Sequence, residues 1–194
     1  MQGEKIFQHH FASPLHEAGV TGMTLRDYKH VAGKEADNAD GTLTFCHVPL
    51  SHIDAMIDDL RRCHDEGEDR GIAITSCVRT DVGLRRLLLL DFAINVTLQN
   101  EHALYCVLRD IAKILPSYKK GALMRTANSY HFVGFTPLRY NAWVRAMGRA
   151  LMLNWRGRSL VDIRYVGHCL DRGYGALRVC DMGTKETPTL ITCL

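Results

Sequence analysis

Apolar residues recur at helical spacing in residues 100–115, where Ala103, Leu104, Val107, Leu108, Ile111 and Leu115 form one stripe. Pro116 stops that element, because it lacks the amide hydrogen a helix interior needs. A second stripe, Ile53, Met56, Ile57 and Leu60, predicts a helix that Ser51 caps, with Asp54 three residues on. A third helix is predicted over 138–154, with Trp143, Val144, Met147 and Leu151 inward and Arg145 and Arg149 on another face. A short helix is expected after Asp162. Strands are predicted over 42–48, 71–79, 84–92, 122–126, 129–135, 176–180 and 189–193. The leucine run within 84–92 implies burial on both faces. Turns are expected at Asp81-Val-Gly83 and at Ala127-Asn128. Residues 1–41 read as loops, one short helix and a turn.

From residue 84 onward the order is strand, helix, strand pair, helix, strand. That resembles a split β-α-β unit, which gives a mostly antiparallel sheet with helices on one face and an α+β class. The chain divides into an N-terminal α/β lobe over 1–80 and a second lobe over 81–194, or forms one continuous domain. No internal repeat or low-complexity segment interrupts it.

Composition changes this picture little. The chain has 194 residues, 46% of them apolar and 23% charged, which is enough for a sizeable core. No apolar run approaches the roughly 20 residues that cross a bilayer, and the N-terminus lacks a signal-peptide core. Seven scattered cysteines without a Cys-x-x-Cys read as reduced core residues. A cytoplasmic protein without membrane contact is therefore expected. Charge is uneven: residues 1–97 carry a net of −5 and residues 98–194 a net of +8. From Arg139 to Arg178 inclusive there are eight arginines and two acids. A basic half attracts phosphates, although solvated helix faces would give the same count.

A few polar residues stand out against these elements. Asp91 ends the leucine-rich strand, where a carboxylate suits either Mg²⁺ or a turn. Ser129 and His131 alternate with Tyr130 and Phe132, so a strand puts the serine and histidine on one face. A hydroxyl beside an imidazole grips a phosphate oxygen, or a sheet neighbour satisfies the histidine. Asp162 fits a metal ligand or a helix N-cap. Arg178, inside an otherwise apolar strand, needs an anionic partner, a phosphate or a carboxylate such as Asp91 or Asp162. Lys185 follows shortly after it. Several known patterns are missing: a phosphate-binding Gly-Lys-Ser/Thr loop, paired His-x-Ser/Thr repeats and a His-apolar-His pair. Cys46, His47, His52, Cys63 and His64 fit no common zinc spacing.

In order, these residues resemble the archaeo-eukaryotic primase superfamily, and most closely its small primase 1D-like group. The motifs that carry the likeness are Asp91-Phe92, Ser129-Tyr-His-Phe132, Val161-Asp162 with Tyr165-Val-Gly-His168, and Leu177-Arg178. They span about residues 72–192. The resemblance implies a two-lobed primase-polymerase fold with an RRM-like antiparallel sheet covered by helices. It implies a nucleotidyltransferase of DNA replication, in which a 3′-hydroxyl attacks the α-phosphate of a nucleoside triphosphate on single-stranded DNA or RNA. Mg²⁺ or Mn²⁺ would be held by Asp91 and Asp162. The catalytic set would be Asp91, Asp162 and His131, with Ser129, His131, Arg178 and Lys185 on the phosphates. An accessory protein or domain would assist initiation. Ala93 stands where the superfamily's first motif usually has a second acid. That departure leaves open a catalytically degraded module that binds nucleotide or nucleic acid without chemistry.

Overall fold

Strand β3, Arg70–Thr80, is the spine of the first sheet. In the computed structural model, which describes residues 7–29, 43–63, 70–113, 115, 118–155, 157–181 and 187–194, β3 lies between β1 (Val20–Lys29) and β10 (Ala176–Asp181). Beyond β1 lies β2 (Leu43–Pro49), and β4 (Gly83–Arg86) folds back on β3 through the turn at Asp81-Val82. Gly83 has φ +102°, a conformation that only glycine adopts without strain. All pairings in this sheet are antiparallel.

The second sheet has the order β11-β6-β7-β5, again antiparallel, from Thr189–Cys193, Gly121–Arg125, Tyr130–Gly134 and Leu89–Phe92. Its chain order includes helix α3 (Leu98–Ala112) between β5 and β6, and α4 (Tyr140–Ala150) and α5 (Ile163–Arg172) after β7. The fold is therefore α+β, as the alternation of periods predicts. The N-terminal part adds a π-helical turn at Gln8–Ala12, α1 (Ser13–Glu17) and α2 (Ile53–Arg62). Among the described residues no helix is long and apolar enough to cross a membrane.

The two faces of the second sheet go to different cores. Leu88, Leu90, Phe92, Leu123, Tyr130 and Phe132 pack on α3, α4 and α5 through Leu104, Leu108, Trp143, Met147 and Val166. The alternate residues Leu89, Ala122, Met124 and Val133 join the core that includes Leu25, Ile72, Ile74 and Leu177 of the first sheet. Strand periodicity thus puts Asp91, in step with Leu89, and His131, in step with Val133, on the face away from the helices.

Three sequence expectations are corrected here. Residues 84–92 are not one strand: β4 belongs to the first sheet and β5 to the second. The chain crosses between them at Leu87 and Leu88, both fully buried, and the Leu87 amide donates to the Ser76 carbonyl at 2.8 Å. A ten-residue strand, β1, occupies part of the segment read as loops. Ser51 does not cap α2: it lies in the 3₁₀ turn Leu50–His52, and His52 takes the N-cap position without a side-chain cap bond.

Two glycines offer opposite tests of this packing. A Cβ at Gly121 would stand 2.5 Å from two ring carbons of Phe132 and 2.8 Å from the Val133 carbonyl oxygen. The Phe132 ring is fully buried and stacked on Tyr118, so it has nowhere to move. Gly121→Ala should cost about 1–3 kcal/mol, read from the urea midpoint. A Cβ at Gly148, inside α4, meets nothing within 4 Å. Gly148→Ala should stabilise by up to about 1 kcal/mol.

Candidate active site

Three chain segments meet at the end of β5. Asp91 pairs with His131 of β7 on one side. On the other side, the segment before α5 runs alongside β5 as a short extra strand, with Phe92 bridging Val161. The Asp162 amide donates to the Asp91 carbonyl at 2.9 Å, and the Ala93 amide donates to the Leu160 carbonyl at 2.8 Å. Backbone hydrogen bonds, rather than side-chain chance, therefore hold the two aspartates as neighbours. Asp162 is also the N-cap of α5: its Oδ1 accepts from the amides of Arg164 (2.8 Å) and Tyr165 (3.2 Å). Those bonds leave Oδ2 for a ligand. Both readings of Asp162, cap and candidate ligand, describe the same residue.

The electrostatics of the pair follow from burial and from the closeness of the two carboxyls. Burial, and next to it the negative charge of Asp162, push the Asp91 carboxyl up to about 7. A bond from the Phe92 backbone and the Arg178 charge oppose that rise without cancelling it. His131 Nε2 stands 3.7 Å from Asp91 Oδ1, too far for a hydrogen bond. Burial, followed by the nearby Arg178 charge, pushes the His131 imidazole down to about 3, so it is neutral at pH 7. Arg178, on β10 opposite Ala73, thus acts on both residues and links the first sheet to the site. Tyr165, one turn into α5, buries its hydroxyl close by, and burial raises its pKa well above normal, with Cys169 and Asp91 adding to the shift. Gly175 makes room for it, since a Cβ there would lie 2.8 Å from that hydroxyl.

Ser129 reaches the site by a different route. It ends the turn after β6, where the Thr126 amide donates to its carbonyl at 2.9 Å and its own amide donates to Thr126 Oγ1 at 3.0 Å. Its hydroxyl donates to the Phe92 carbonyl and so ties the turn to β5. Asp91, His131, Asp162 and Arg178 are brought together, and Ser129 flanks them while bonded within the sheet. Lys185 lies outside the described residues.

Among the described residues, no group of three or more His, Cys, Asp or Glu is placed to hold a metal ion. The acids present are two. That number suits a single Mg²⁺ or Mn²⁺, which takes one or two carboxylates and completes its shell with water and substrate phosphates. Ala93 is exposed and adds no carboxylate to a second position.

A cleft of about 620 Å³ lies two residues along the strands from the acid pair. Its lining includes Ala93 and Leu160, which are hydrogen-bonded on the same ladder, together with Asn95, Gln99, Trp155 and Arg158. Nothing in the candidate residues read from the sequence pointed to it.

A family model described as archaeo-eukaryotic primase 1D-like matches residues 56–189. The match includes Asp91, Ser129, His131, Asp162 and Arg178 and omits β1 and β2. No curated protein and no solved structure matches the chain.

Proposed function

The chain belongs to the archaeo-eukaryotic primase 1D-like family, and from that premise we propose that it is a metal-dependent nucleotidyltransferase of the primase-polymerase type. The observation that carries the proposal is the backbone-bonded Asp91–Asp162 pair, with His131 and Arg178 around it. In the reaction a 3′-hydroxyl oxygen bonds to the α-phosphorus of a nucleoside triphosphate. The bond to the β-phosphate bridging oxygen breaks, pyrophosphate leaves and the hydroxyl proton passes to solvent. Asp91 and Asp162 would hold a single divalent cation, which supplies Lewis-acid stabilisation of charge on the phosphate oxygens. Arg178 offers a fork suited to phosphate from the opposite sheet. His131, neutral at pH 7, offers a ring N–H without adding charge. Neutrality matters there, because an imidazolium beside Arg178 would be repelled.

A second reading keeps the pocket and drops the chemistry. It is favoured by Ala93, which withholds the second carboxylate of the first motif, and by the commitment of the Ser129 hydroxyl to Phe92. Incorporation of labelled nucleotide on a single-stranded template with Mg²⁺ or Mn²⁺ decides between them. The transferase reading expects extension by the native protein and its loss in Asp91→Ala. Nucleotide bound but never incorporated would select the binding module. Absence of both would remove either reading.

A further inference from the structure

We infer that the cleft beside the acid pair is a nucleobase-binding subsite, with Trp155 as its stacking platform. The inference rests on the nucleotide reading of the acid pair and adds what the cleft recognises. Strands β8 (Asn154–Trp155) and β9 (Arg158–Ser159) form a minimal hairpin whose turn contains Gly157 at φ +76°. Trp155 and Arg158 are direct cross-strand partners. Opposed residues of an antiparallel pair project from the same face, and here both line the cleft. An indole with a guanidinium beside it is a pairing that suits one nucleotide, the ring for the base and the fork for its phosphate.

Exposure supports this role. Trp155 is 40% exposed, whereas the chain's other tryptophan, Trp143, is fully buried in the helix-side core. The same lining includes three side-chain amides, Asn95, Gln99 and Asn100. The Asn100 Nδ2 donates to the Asn95 carbonyl at 2.9 Å, which fixes the side chain and turns its Oδ1 away from that bond. A side-chain carbonyl and amide groups can read the donor and acceptor edge of a base. None of the lining residues is acidic, so a phosphate entering the cleft meets no opposing charge. The volume falls in the usual range for small-ligand sites, about 300–1,000 Å³.

Position makes the cleft useful to the acid pair. The rung Ala93–Leu160 is two residues from the rung Asp91–Asp162, roughly 7 Å along the strands. A single nucleotide bridges that interval between its base and its phosphates. The base comes either from the incoming nucleotide or from an unstacked position of a single strand.

Intrinsic fluorescence tests the assignment, because the exposed tryptophan is the reporter. The native protein in EDTA would be titrated with adenosine and guanosine triphosphates in one arm and with a short oligo-deoxythymidine in the other. Stacking predicts quenching in at least one arm and its absence in Trp155→Phe when fluorescence is read, since only Trp143 then emits. Anisotropy of a labelled ligand should show binding about 5- to 100-fold weaker in Trp155→Ala, largely restored in Trp155→Phe, and weakened also in Arg158→Ala. Quenching by the mononucleotide assigns the base of the incoming nucleotide; quenching by the oligonucleotide alone assigns a strand. If neither ligand quenches, or if Trp155→Ala and Arg158→Ala bind as tightly as the native chain, the subsite is overturned. That result would leave the metal-dependent reading of Asp91 and Asp162 intact, because the titration contains no metal.

Discussion

Replacing Asp162 with asparagine is expected to slow metal-dependent nucleotide incorporation sharply without lowering the stability of the fold. The two outcomes separate because Asp162 does two things. As N-cap of α5 it accepts from the amides of Arg164 and Tyr165 through one oxygen. Asparagine caps about as well as aspartate, so α5 should keep its start and the thermal midpoint should not fall. As a candidate cation ligand Asp162 contributes charge, which asparagine lacks. Losing one of two carboxylates should lower the rate by about 10³-fold, the equivalent of several kcal/mol of charge stabilisation in the transition state. Asp162→Ala should fail in both respects, with about 1 kcal/mol of stability lost from the cap in addition. Single-turnover incorporation and a urea melt on the same three proteins check the claim. An Asp162→Asn protein that incorporates nucleotide at the native rate would remove Asp162 from the chemistry and leave it a cap.

How much of this was legible in the sequence depended on whether a pattern had a period. Helix α3 was found from one apolar stripe, and Leu104 and Leu108 do lie in the core. Strand alternation shows that His131 shares a face with its buried i+2 neighbour Val133, whereas its pairing with Asp91 is a matter of register between two strands, which alternation does not set. The run Leu87–Leu90 was opaque for the opposite reason. All four leucines are fully buried, so nothing in their chemistry marks where the chain leaves one sheet for the other. Strand β1 escaped notice because its ladder is made of distant partners, β2 and β3, and Gly22 and Thr24 blunt its alternation. The helix predicted over 138–154 takes in Asn154 and no element is predicted over 155–159, although Trp155-Arg-Gly-Arg158 carries a hairpin signal: a glycine able to turn, flanked by an aromatic and two cations. The placement of Asp162 against Asp91 is implied by the family resemblance and by no pattern in the residues themselves. It depends on a backbone bond between residues 71 positions apart in the chain.

The pH dependence of stability gives a test of the site that needs no substrate. Asp91 has a usual pKa of 3.8 and reaches about 7 in the folded protein. Between those values the folded chain keeps the proton and the unfolded chain releases it, so this group's stabilisation is full below pH 3.8 and is lost as pH rises through 7. His131 runs the other way. Its imidazole falls from 6.5 to about 3 on folding, so the unfolded chain binds the extra proton and stability is lost as pH falls from 6.5 toward 3. From pH 3.8 to 6.5 the two slopes oppose each other, each near one proton, and their sum is nearly flat. Asp91→Asn removes one of them. Its urea midpoint should climb from pH 4 to 6.5 and then level, while the native protein stays flat and dips above 6.5. At pH 8 the variant should be the more stable of the two. The Asp91 side chain is 33% exposed, so solvent screening reduces the full shift to a difference of about 1–2 kcal/mol. Added Mg²⁺ should close that gap by stabilising the native chain and not the variant, because only a carboxylate pair gives the cation a reason to prefer the folded state. Equal stability at pH 8, with or without Mg²⁺, would mean that Asp91 is neither strained by its neighbours nor relieved by a cation.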